Sequence, residues 1–147
     1  MRNKLSAIPI SVVLLISCSE EIPSSQVPSL VLNAATDKYN SKQIEWEKNG
    51  SLYEAEIEVN DSTEISLQIN EAGKLVMEKQ DIPKNLVPAN ILTKIEREFS
   101  GFQLHDVEKV EKDSRLYYQF ELKSNGKEFN LVFNEDGNEE KTVKYWN

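Results

Sequence analysis

Two acidic, glycine-punctuated phrases, "INEAGK" from Ile69 and "FNEDGN" from Phe133, are the first places to look for chemistry. Oxygen donors at alternate positions suit a hard cation such as Ca²⁺, but an EF-hand loop needs glycine at its sixth position and a bidentate glutamate at its twelfth. Counted from Asn134, Gly137 is fourth and the twelfth residue is Tyr145, while the first phrase has Ala72 and Lys74 where ligands would stand. A tight reversal, in which Asn and Gly supply left-handed backbone, accounts for both phrases. His105 is the sole histidine, which excludes a multi-histidine metal site and leaves any serine–histidine relay one possible base. No G-x-S-x-G elbow accompanies a serine, and Asp106, next to His105 on a strand, is expected on the opposite face. The carboxylates are abundant, yet neither spacing nor an apolar setting singles out a catalytic pair. With no Gly-rich phosphate loop either, the expectation is no catalytic residue, no metal, no cofactor and no enzyme activity; a hydrolase working through His105 is the last alternative.

The N-terminus carries an address. Residues 1–17, "MRNKLSAIPISVVLLIS", place Arg2 and Lys4 before a short apolar run that holds Pro9, too short to cross a bilayer core of about 30 Å. Leu15-Ile16-Ser17-Cys18 resembles the lipobox of bacterial lipoproteins, and that resemblance implies lipidation of Cys18 and cleavage before it. Cys18 is the sole cysteine, so disulfides, thiol catalysis and cysteine-ligated metal are excluded from the mature chain. Without Arg2 and Lys4, 17 − 2 = 15 basic side chains face 25 acidic ones, a balance of −10. Such a surface repels nucleic acid and anionic headgroups, so contact with a membrane is expected through the lipid anchor alone. Residues 18–26 read as a polar tether. Ser19-Glu20-Glu21 is similar to the acidic export signals of some surface lipoproteins, which sets cell-surface display beside the periplasmic side of the outer membrane.

Self-similarity organises the rest of the chain. Val27-Pro28 returns as Val87-Pro88, followed by Val31, Ala35 and Tyr39 in the first case and Ile91, Ile95 and Phe99 in the second. Steps of four stack apolar groups along one helical stripe, and proline suits a helix start. "YEAEI" from Tyr53 matches "YQFEL" from Tyr118, both alternating as strands do, and Asn49-Gly50 is a strong hairpin signal. The segment "QLHDVEKVEKDS" alternates poorly, with Val107 and Val110 out of phase, which suggests a bulge. The pattern predicts an α+β fold: a tandem repeat of one helix followed by about four antiparallel strands, the last at Leu75–Glu78 and about Glu139–Tyr145, with both helices packed on one face of the sheet. The expected boundaries are a repeat at 27–79, a connector at 80–86 and a second repeat at 87–147. Units this small are marginal alone, so the two are expected to share an interior.

If helices cover the face carrying Ile57, Leu67, Phe120 and Leu131, the opposite face presents Glu54, Glu56, Glu58, Ser66, Gln68, Gln119, Glu121 and Asn130. The functional expectation is an acidic, polar platform that meets a cationic protein or peptide, with Tyr117, Tyr145 and Trp146 as exposed aromatic anchors. A carrier of a small ligand or cation on the same sheet face is the alternative. Trp46, alternating with Ile44, is expected in the core.

Val27-Pro28, Val87-Pro88, Ile44-Glu45-Trp46, the two matched strands and the Asn-Glu-x-Gly turns at Asn70 and Asn134 together resemble the PepSY-like family of β-lactamase-inhibitor-like proteins. The resemblance spans nearly the whole mature chain. It implies a secreted helix-plus-sheet protein that binds, and by analogy inhibits, another protein such as a secreted or periplasmic enzyme. No inhibitory residue is carried over by it.

Overall fold

A computed structural model describes residues 19–41, 43–60 and 63–147. The signal segment and the expected lipidation site, Cys18, lie outside the described residues. Among the described residues, eight strands form one antiparallel sheet in which each strand pairs with its neighbours in sequence: β1 (Glu20–Glu21), β2 (Ile44–Asn49), β3 (Leu52–Asn60), β4 (Thr63–Asn70), β5 (Leu75–Asp81), β6 (Gln103–Lys112), β7 (Arg115–Ser124) and β8 (Lys127–Asn134). Helix α1 (Ser29–Tyr39) lies between β1 and β2, and α2 (Ala89–Glu98) between β5 and β6. No helix among the described residues is long and apolar enough to cross a membrane.

This corrects the expected tandem repeat of a helix and four strands. The second helix is followed by three strands, not four, and β5 pairs with β4 on one side and β6 on the other, so the sheet runs through without a break. Segment 139–145 forms a single bridge, Phe133 to Glu139, and then leaves the sheet edge. Part of the expected tether is also built into the sheet, since Glu20 and Glu21 pair with Lys48 and Glu47.

Local chemistry explains the elements. Pro28 and Pro88 cap the helices, and the carbonyl of each accepts hydrogen bonds from the third and fourth residues beyond it, Val31 and Leu32 or Ile91 and Leu92. Two-residue turns join β2 to β3, β6 to β7 and β7 to β8, with positive φ at Gly50, at Asp113 and Ser114, and at Asn125 and Gly126. Left-handed turn residues match the twist of the flanking strands.

The Asn-Glu-x-Gly phrases are turns, and each is tucked under a helix. Asn70 Oδ1 accepts from the amides of Ala72 and Lys74, and Asn134 Oδ1 accepts from that of Asn138. A Cβ on Gly73 would meet the Leu30 carbonyl oxygen at 2.7 Å, and one on Gly137 would meet Asn90 Nδ2 at 2.6 Å. The phrase occurs twice because each helix needs a bare, left-handed residue beneath its first turn.

Both helices sit on one face of the sheet. Val31 and Ala35 pack on Trp46, Ala55, Ile57, Leu67 and Ile69, while Ile91 and Ile95 pack on Tyr118, Phe120, Leu122, Leu131 and Phe133. The two helix-covered interiors are separate, so what the halves share is the continuous sheet and an apolar cluster on its other face. Between them the same face carries Glu78, Gln80, Lys109 and Glu111, which register places in line with Leu67, Ile65, Tyr118 and Leu116. Tyr39 donates to Glu78 Oε1 at 2.6 Å and Lys38 pairs with Glu78 Oε2, closing this gap with polar contacts. Burial, then the hydrogen bond and charge of Glu78, push the Tyr39 hydroxyl well above its ordinary pKa.

A third apolar cluster lies on the opposite face and spans both halves: Met77, Val110, Tyr117, Val132 and Trp146. Val110 therefore turns away from Val107, which packs beneath α2. Their odd spacing reflects a strand buried on both sides.

Candidate functional site

The face away from the helices holds the expected polar residues, but the segment ending in Tyr145-Trp146-Asn147 crosses it. Trp146 is 7% exposed and Tyr117 also 7%, so neither is the surface anchor expected of it; Tyr145 is half-buried. Trp146 turns inward because Met77, Val110, Tyr117 and Val132 form an apolar patch that the sheet's own strands leave open.

Polar groups fix the tryptophan in place. Gln119 Nε2 donates to its carbonyl oxygen at 2.7 Å, and Gln119 Oε1 accepts from its amide at 3.2 Å. The indole Nε1 donates to Glu54 Oε2 at 3.2 Å, and Lys79 Nζ lies 5.1 Å from the ring centre. Gln119 is 1% exposed and also donates to Glu108, which pairs with Lys79 at 2.9 Å. Burial, followed by the charges of Glu108, Glu121 and Asp106, pushes the Tyr145 hydroxyl far up. Gln119 thus supports the segment from below instead of meeting a partner.

Beside Trp146 a cleft of about 270 Å³ opens, lined by Glu54, Glu56, Glu64, Ser66, Lys79, Asp81, Asp106, Glu108, Trp146 and Asn147. Six carboxylates face one lysine there, and that lysine is engaged by Glu108. Glu56, Glu64 and Asp81 make no ion pair among the described residues. Burial, then the carboxylates of Glu64, Glu47 and Glu45, hold Glu56 above the ordinary carboxylate range against the opposing pull of Lys79. Asp81 is raised by burial first and then by Glu108, with Asp106 and Glu64 adding. A cation entering the cleft would relieve this crowding.

Of the residues expected to contact a partner, Glu56 lines the cleft, Glu58 is exposed further along β3, and Glu54 lines it while held by Trp146, Gln68 and Asn49. Glu64, Asp81 and Glu108 were missed. They share one face through cross-strand register, since Glu58 opposes Glu64 and Asp81 opposes Glu108, which alternation within a single strand does not reveal.

His105 and Asp106 do not point to opposite faces as expected. The pairing of β6 with β7 shifts between Leu104 and Asp106, and this bulge brings both side chains to Glu121. His105 Nδ1 lies 3.1 Å from Asp106 Oδ2 and 2.9 Å from Glu121 Oε2, and Lys123 Nζ lies 2.7 Å from the same Glu121 oxygen. The hydrogen bond from His105 is the main cause that holds Asp106 below the usual carboxylate range.

The family described as "Putative beta-lactamase-inhibitor-like, PepSY-like" matches the chain twice, over residues 15–77 and 75–140. No curated protein matches it. Among solved structures, a DUF2874 family protein from Bacteroides uniformis superposes with a TM-score of 0.69 at 18% identity, covering 76% of this chain and 85% of its own. A BLIP-like protein from Bacteroides fragilis superposes with a TM-score of 0.64 at 23% identity over 76% and 82% of the two chains. A protein from Bacteroides eggerthii described as a "putative periplasmic" one gives 0.70 at 18% identity over 77% and 85%. These likenesses establish the fold.

Proposed function

Because the chain belongs to the PepSY-like family of beta-lactamase-inhibitor-like proteins, we propose that it is a non-enzymatic binding module of the bacterial cell envelope, receiving a cationic segment of a partner protein on the open sheet face. The observation that carries this is the cleft beside Trp146, where Glu56, Glu64 and Asp81 crowd together without a counter-ion of their own. Lysine or arginine side chains from a partner would neutralise that crowding, and complementary charge of this kind sets both encounter rate and choice of partner. Glu58 and Glu121 extend the acidic rim; Trp146 lines the cleft itself, and half-buried Tyr145, its sequence neighbour, is the more exposed aromatic of the two.

The captured partner, in the finer form of this proposal, is a secreted or periplasmic enzyme held inactive. Its support is the family description and the BLIP-like structure of the same fold. Cys18, as the lipid attachment point, would hold the module at the periplasmic side of the outer membrane; the signal pattern of residues 1–18 and the periplasmic description of one structural relative support that placement.

Site-specific photocrosslinking in intact envelopes tests the proposal. A photoreactive residue at Glu58 should label one basic protein, one at Thr93 on the outer side of α2 should not, and Glu56→Lys with Glu64→Lys should abolish the label. Labelling that survives the charge reversals, or that is equal from Thr93, would remove the acidic face from the account. Turnover of the labelled enzyme, measured with and without the module, decides inhibition.

A further inference from the structure

We propose that His105, Asp106 and Glu121 form a surface site for a borderline divalent transition-metal ion, with Zn²⁺ as its representative. The bulge in β6 is what makes the site, since it alone brings neighbouring side chains of one strand to the same carboxylate of the next. One imidazole nitrogen and one oxygen from each carboxylate all lie within 4.8 Å of one another. Tetrahedral zinc with bonds of about 2.1 Å separates its ligand atoms by roughly 3.4 Å. His105 Nδ1 stands 3.1 Å from Asp106 Oδ2 and 2.9 Å from Glu121 Oε2, so small side-chain rotations open the three atoms to that spacing.

In the metal-free protein the short distances fit a proton on Nδ1, donated to the two carboxylates. The metal takes the Nδ1 lone pair and the proton moves through solvent to Nε2, so the bound ring is a neutral imidazole protonated on Nε2, and water completes the coordination because His105 and Asp106 are exposed. Mixed nitrogen and oxygen donors favour zinc, nickel or copper over Ca²⁺, which requires six to eight oxygens. Lys123 occupies Glu121 Oε2 at 2.7 Å and is the competing cation in the absence of metal. The site lies beside the acidic cleft, sharing Asp106 with it, but does not depend on a protein partner.

Titration of the ¹⁵N-labelled protein with ZnCl₂, followed by imidazole resonances and by calorimetry, tests this. One saturable site is expected that shifts the His105 Nδ1 resonance, is weakened by about tenfold or more in His105→Ala, and is tightened in Lys123→Met through loss of the competitor. CaCl₂ should leave the imidazole unmoved. Absence of saturable Zn²⁺ binding, or binding unchanged in His105→Ala, overturns the site and marks only a diffuse acidic surface. Glu121→Gln, with folding checked by amide spectra, must weaken binding as well; full retention overturns the assignment of that ligand set.

Discussion

Gln119 holds Trp146 by both hydrogen-bonding groups of its backbone, donating to the carbonyl at 2.7 Å and accepting from the amide at 3.2 Å. A strand would offer a neighbour these same two groups from its main chain; here a buried side chain does so across the sheet face. The terminal segment is therefore held by a small number of specific contacts, and losing one has a defined effect.

Gln119→Leu keeps most of the volume but strips the Trp146 amide of its acceptor and leaves the Trp146 carbonyl and Glu108 to Lys79. Stability should fall by about 1–3 kcal/mol. One of the two tryptophans should become open to acrylamide quenching while Trp46, in the α1 interior, stays shielded. Unchanged quenching would show that the apolar patch alone retains the segment.

Gly73→Ala and Gly137→Ala both force a side chain into positive φ, +76° and +83°. That conformation costs a residue with a Cβ about 1–2 kcal/mol. The new methyl group at 73 also meets a backbone carbonyl, which cannot move aside, whereas at 137 it meets the end of an asparagine side chain. Chemical denaturation should rank Gly73→Ala as the more damaging, and the reverse order would contradict the close approach of turn and helix.

Glu56 titrates above its ordinary value in the folded protein. The folded state then binds more protons than the unfolded state between the unfolded and folded pKa values, so this group's contribution to stability declines as pH rises through that window. Glu56→Gln removes the dependence. The stability of the variant relative to the parent should rise from about pH 4 upward and level off once Glu56 is ionised in both states. A relative stability flat across that range would mean that the neighbouring carboxylates do not crowd it.

Phe120→Ala should cost about 3–5 kcal/mol, since the ring is fully buried. Phe129, 42% exposed against Phe99 and Phe102, should cost nearer ~1 kcal/mol. Comparable losses in thermal unfolding would place Phe129 in a tighter environment than the β8 edge provides.

Much of this fold was readable in periodicity. The steps of four after Val27 and Val87 located both helices, and alternation from Tyr53 to Ile57 and from Tyr118 to Leu122 located strands and the face the helices cover. Trp46, expected in the core, is 2% exposed there. The segment after Asn138 failed because its spaced apolar residues, Val143 and Tyr145, also suit a strand, and local pattern says nothing about where the chain travels. A signal for its true course was present: Tyr117 beside Tyr118, and Val132 between Leu131 and Phe133, make consecutive apolar residues, which mark strands covered on both faces. The cleft escaped notice because its carboxylates come from β3, β4, β5 and β6, and only register brings them together.

Every strand lies beside its sequence neighbours, so the backbone never crosses over itself to complete the sheet. Most ring closures needed for assembly are short hairpins, a connectivity that favours rapid zippering. During synthesis the α1 portion can settle on β2 to β4 while β6 to β8 are still emerging, and β5 then serves as the template on which the remainder grows.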